Sequence, residues 1–89
     1  MMKVTVEKAA EEKVKGLGAK SWPIWTCEAG EFDWHYDEKE TCLILEGEVE
    51  VSFEGGNVHF QKGDIVVFPE GLSCRWKVLR AVKKHYKFG

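Results

Sequence analysis

The stretch GDIVVFPEGLSC, residues 63–74, reads as a strand held between two turns. Gly63-Asp64 reverses the chain, Ile65 to Phe68 form an apolar run, and Pro69 and Gly71 stop it. The same grammar repeats outward from it. Val58 and Phe60 alternate with His59 and Gln61, and Gly55-Gly56-Asn57 signals a hairpin. Val49, Val51 and Phe53 alternate with Glu48, Glu50, Ser52 and Glu54, while Phe32, Trp34 and Tyr36 alternate with Asp33, His35 and Asp37. Val4 and Val6 mark a short strand near the start. SWPIWTCEAG, residues 21–30, is a further strand, confined by Pro23 to an edge or a bulge. AAEEKVKGLG, residues 9–18, contains helix formers without a 3.6-residue apolar stripe, so at most one helical turn is expected. Short strands punctuated by glycine turns predict an all-β fold, a small antiparallel β-barrel or sandwich that takes up residues 1–89 as one domain.

Composition narrows the classes. With 44% hydrophobic and 31% charged residues, the chain belongs with globular proteins rather than disordered ones. No apolar run approaches the roughly 20 residues that span a bilayer, so no membrane partner is expected. The segment MMKVTVEKAAEEK is too polar for a secretory signal, and a cytoplasmic location is expected by default. Cys27, Cys42 and Cys74 include no C-x-x-C pair, which argues against a disulfide scaffold and against a four-cysteine zinc site. Twelve Glu and eleven Lys against a single Asn and a single Gln match the hyperthermophile pattern.

Charge is distributed unevenly. Every acid precedes residue 75, whereas Arg75, Lys77, Arg80, Lys83, Lys84 and Lys87 crowd the end. Trp76 and Val78 alternate with Arg75 and Lys77, and Val82, Tyr86 and Phe88 with Lys83, His85 and Lys87. That periodicity predicts the solvated face of an amphipathic strand rather than a nucleic-acid patch. The segment TCLIL is apolar on both faces, Cys42 and Ile44 on one and Leu43 and Leu45 on the other. A barrel has one inside, so the outward face is expected to meet a second copy, with Leu43 or Leu45 in a homodimer interface.

Two spacings carry a family resemblance. Gly63, Pro69 and Gly71 keep the second of the two motifs that define cupin barrels, and Glu40 and Gly47 keep the end of the first. From about Ser21 onward the chain resembles that superfamily, with motifs at about 30–47 and 63–78. More narrowly, SWPIW, WHYDEKETCLILEGEVEV, GDIVVFPEGLSCRW and KHY resemble the small cupins labelled after ureidoglycine aminohydrolase and ethanolamine-utilisation proteins. The resemblance implies a jelly-roll barrel.

It also implies where a site should lie, and there the chain departs. Metal-dependent cupins hold a divalent ion with three His and one Glu. In this sequence the three His positions fall on Trp34, Tyr36 and Cys74, and only Glu40 remains. His35 is turned to the opposite face by strand alternation. No cofactor is expected; what remains for a metal is a weak site of Glu40 and Cys74, with Tyr36, waters or substrate atoms. The other reading is a small-molecule pocket in which Trp34, Tyr36 and Trp76 are walls and Glu40, Cys42 and Cys74 the polar groups. Glu40 then suits an acid/base role, with Cys74 and Tyr36 beside it, on a nitrogenous metabolite, since an aromatic box with one carboxylate suits an amine. A non-catalytic ligand-binding or accessory domain fits the same residues. In the plainest reading the tryptophans and cysteines are core filler, and Glu40 is satisfied by the Tyr36 hydroxyl or by Arg75.

Overall fold

In a computed structural model that describes residues 2–89, the glycine turns separate antiparallel strands. These are β1 (Thr5–Lys8), β2 (Ile24–Cys27), β3 (Gly30–His35), β4 (Glu40–Phe53), β5 (Gly56–Gln61), β6 (Asp64–Phe68) and β7 (Ser73–Phe88). Between β1 and β2 lie helix α1 (Glu11–Leu17) and a 3-10 turn (Ala19–Ser21). Hydrogen bonding runs β1-β6-β4-β7-β2, with β5 added to β4 and β3 added to β7.

β4 and β7 are long because each serves both layers of the barrel. Residues Glu40 to Leu43 lie between β6 and the end of β7, whereas Glu48 to Phe53 lie between β5 and the start of β7. The bend between these halves falls around Gly47, where the β4–β7 register shifts. Gly47 has φ 97°, and a Cβ there would stand 2.3 Å from the Ala81 carbonyl oxygen. No side chain fits at that crossing. The interior is filled by Val49, Val51, Phe60, Val66, Phe68 and Trp76, with Tyr36 stacked on Phe68 at 4.8 Å between centroids. The all-β antiparallel barrel expected from the turn pattern is present.

Three local expectations change. α1 is longer than the single turn expected. Its apolar content is small, but Val14 faces inward and Gly18, at φ 67°, closes the helix with bonds to Lys15 and Val14 carbonyls. Tertiary contact, not an apolar stripe, holds it. The second change follows from the first. TCLIL is buried on both faces as expected, but Leu43 packs with Val14, Ala19 and Ile65 of its own chain, with Leu45 and Trp22 beside them. The cover is α1 and the 3-10 turn, so the burial of Leu43 is met within the chain, while Leu45 stays half-buried beside it. Third, the basic run does not keep to one solvated face. Arg75 and Arg80 are exposed and Lys83 half-buried, and they pair with Asp33, Glu48 and Glu46. Lys84 instead points inward and is 4% exposed. No helix among the described residues is long and apolar enough to cross a membrane.

Candidate functional site

Strand alternation builds the site. On β7, Val82, Lys84, Tyr86 and Phe88 share one face. With Trp76 farther back along the strand, Lys84, Tyr86 and Phe88 meet Trp25 of β2 and Phe32 and Trp34 of β3 around a cavity of about 230 Å³. Tyr36, Glu40 and Lys84 complete its lining. Trp25, Phe32 and Trp76 contact one another at centroid separations of 5.8–6.2 Å, an aromatic wall on one side.

Glu40 opens β4 and is 4% exposed. The partner that holds both its oxygens is neither Tyr36 nor Arg75, the two that sequence reasoning offered, although the Tyr36 hydroxyl lies beside the carboxylate and feels its charge. Arg75 is at the surface, 3.0 Å from Asp33. Lys84 takes the role instead. Its Nζ donates to both carboxylate oxygens at 3.1 Å and to Cys42 Sγ at 3.3 Å. The same ammonium lies 4.8 Å from the Trp76 ring centroid and 5.0 Å from that of Trp25. The aromatic box expected to receive a cationic ligand therefore holds a cation that belongs to the chain. Three donor bonds and two aromatic faces leave this charge well satisfied, as a buried charge must be.

The remaining candidates divide. Tyr36, just beyond β3, is fixed by backbone bonds to Leu72 and Gly71. Burial pushes its phenol well above the ordinary range, and the Glu40 charge adds to that. Cys42 is fully buried; its thiol is pushed up by burial, against the pull of the Lys84 charge. Trp34 is 49% exposed, so it forms the rim of the cavity rather than an inner wall. Cys74 does not line the cavity with Glu40. It borders a separate shallow depression with Asp33, Trp34, His35 and Ser73, and its thiol donates to the Trp34 carbonyl at 3.7 Å. Burial raises that thiol to about 11, while the Trp76 N–H pulls the other way without reaching hydrogen-bonding geometry. Trp76 Nε1 is thus buried with no partner among the described residues.

Sequence reasoning missed Lys84, Trp25, Phe32, Tyr86 and Phe88. The signal for Lys84 was present: it sits two residues from Val82 and from Tyr86, on their face of the strand. Its membership in a basic run concealed it.

The donor set does not fit a resident divalent ion. Lys84 sits on both oxygens of the one motif carboxylate, and Trp34, Tyr36 and Cys74 stand where imidazoles would be needed. Among the described residues no three His, Cys, Asp or Glu side chains converge.

A two-layer antiparallel barrel with its second glycine-bounded motif intact, and a pocket lined from β2, β3, β4 and β7, defines a cupin. Residues 14–86 match the model of the EutQ-like cupin domain, and the chain belongs to that family. A DUF861-family protein from Thermotoga maritima is 55% identical, with a TM-score of 0.94 over 98% of this chain and 100% of that one. A putative ethanolamine utilization protein Q from Salmonella typhimurium is 23% identical over 96% of this chain and 68% of its own, with a TM-score of 0.68. The Clostridium difficile EutQ protein, 18% identical over 73% of this chain and 52% of its own, also gives 0.68. The last two show the fold alone. Among curated proteins none matches the chain.

Proposed function

We propose that the chain binds a small neutral or anionic metabolite, seating an apolar body on the aromatic wall and a polar head near the Glu40–Lys84 pair. The observation that carries this is the 230 Å³ cavity lined by aromatic rings, with one ion pair as its charged group. Ligand pockets combine apolar walls with a few convergent polar groups, and this volume lies below the roughly 300–1,000 Å³ of drug-sized sites. The amine ligand suggested by the aromatic box has less support, because Lys84 already occupies the position between Trp25 and Trp76.

Intrinsic fluorescence tests the proposal, since Trp25, Trp34 and Trp76 line the cavity while Trp22 packs by α1. A panel of small aromatic and aliphatic acids, amides and amines should give saturable quenching by neutral or anionic members. Trp34→Ala should weaken it several-fold and leave the melting temperature unchanged, because Trp34 is a rim residue. No saturable response at millimolar concentrations from any member sinks the idea.

A second reading makes the site catalytic, with Glu40 as acid/base on a nitrogenous substrate. What favours it is the Lys84 ammonium in direct contact with both carboxylate oxygens, a ready path for a proton. Glu40→Gln should then abolish turnover and spare binding; equal loss of both counts against it. The composition and the Thermotoga maritima relative support a heat-adapted protein.

A further inference from the structure

We propose that Lys84 forms an imine with small aldehydes or ketones that enter the aromatic cavity. The inference rests on the pocket reading above and names a substrate class for it. Among the described residues Lys84 is the one buried lysine, and it lines the cavity. Its Nζ is 3.1 Å from both oxygens of Glu40, a carboxylate equally buried, so a base able to take its proton is already in contact. A lysine can act as a nucleophile when a general base already in contact relays its proton as the new bond forms. The aromatic wall suits the apolar remainder of a carbonyl compound.

The step balances without any further reagent. Lys84 passes one ammonium proton to Glu40, and the freed lone pair attacks the carbonyl carbon. Glu40 returns the proton to the developing alkoxide, giving a carbinolamine. Glu40 then relays one of the two remaining nitrogen protons to the hydroxyl, which leaves as water, and a C=N bond to Nζ that keeps its last proton is left. One carbonyl compound is consumed and one water released, with no change of oxidation state.

The test uses the wild-type protein with propanal or benzaldehyde and cyanoborohydride, which reduces the imine to a stable secondary amine. Peptide mass mapping then gives the rate at each of the eleven lysines. Lys84 should be alkylated roughly tenfold faster than the mean of the exposed lysines, an advantage of the size that positioning beside a base supplies. Benzyl alcohol, which fits the same wall and cannot form an imine, should slow labelling at Lys84 and nowhere else. Glu40→Gln should remove the advantage, with circular dichroism confirming that the variant is folded. If it does not fold, the wild-type rates and the alcohol competition still decide the matter. Labelling of Lys84 no faster than the surface lysines, with benzyl alcohol still quenching the cavity tryptophans, overturns the imine and leaves the pocket. Absence of both effects overturns the two together.

Discussion

Lys84 carries its charge into a barrel interior, and Glu40 is the reason it can. A buried pair of this kind is costly to break and cheap to replace as a whole, because removing one member leaves the other uncompensated. Lys84→Met should therefore lose about 3–5 kcal/mol in urea unfolding. Adding Glu40→Gln should restore most of that loss, a strong non-additivity that an exposed pair would not give. If the double variant is as unstable as the sum of the singles, the pair is not coupled as drawn. The neighbouring acids make a second prediction. Burial raises the thiols of Cys42 and Cys74 and the phenol of Tyr36 in the folded chain. Each group then keeps its proton when folded and releases it when unfolded, so its contribution to stability is complete below the ordinary pKa and is lost as pH rises. For Cys74 the window runs from 9.0 to about 11. Unfolding midpoints in urea should fall across that range, and Cys74 should resist iodoacetamide at pH 8 in the folded chain. Rapid alkylation of Cys74 at pH 8 would contradict the assignment.

At the scale of elements, the crossing of β4 over β7 and the cover supplied by α1 do the organising. Gly47→Ala puts a Cβ into the Ala81 backbone at a positive φ. Gly63→Ala has the same sign of φ, 93°, with open space around it. The second should cost about 1–3 kcal/mol of backbone strain. The first should cost clearly more, read as a larger drop in melting temperature, and equal losses would show that the close approach is unimportant. For α1, Val14→Asp places a carboxylate against Leu43 and Ile65. The helix should detach, exposing the outward face of TCLIL, and the variant should associate with rising concentration in light scattering. A variant that stays as the wild type does would mean that another element covers Leu43. Propensity alone understated this helix, since its stability comes from one apolar contact and a glycine cap rather than from a periodic stripe.

For the whole molecule, the late basic run and the early acids are two halves of one arrangement. Antiparallel pairing sets Lys83 against Glu46 and Arg80 against Glu48, while Arg75 meets Asp33 on β3. Lys- and Glu-rich surfaces paired across strands gain in value with temperature, as the desolvation penalty of ions falls. A melting temperature above about 90 °C is expected by calorimetry, and one in the ordinary range of about 45–65 °C removes the heat-adapted reading. Period-two patterning and glycine spacing are local properties, so the amino-acid sequence by itself determined the strands, the turns and an antiparallel barrel or sandwich, while the cupin resemblance implied the barrel and the inward Glu40. Which cation meets Glu40 depends on residues 44 positions apart, brought together by the bend at Gly47 and the β4–β7 register. The same holds for the cover over Leu43 and for the separation of Cys74 from the cavity. Only the tertiary structure decided these, because each is a contact between strands or layers whose register no local pattern encodes.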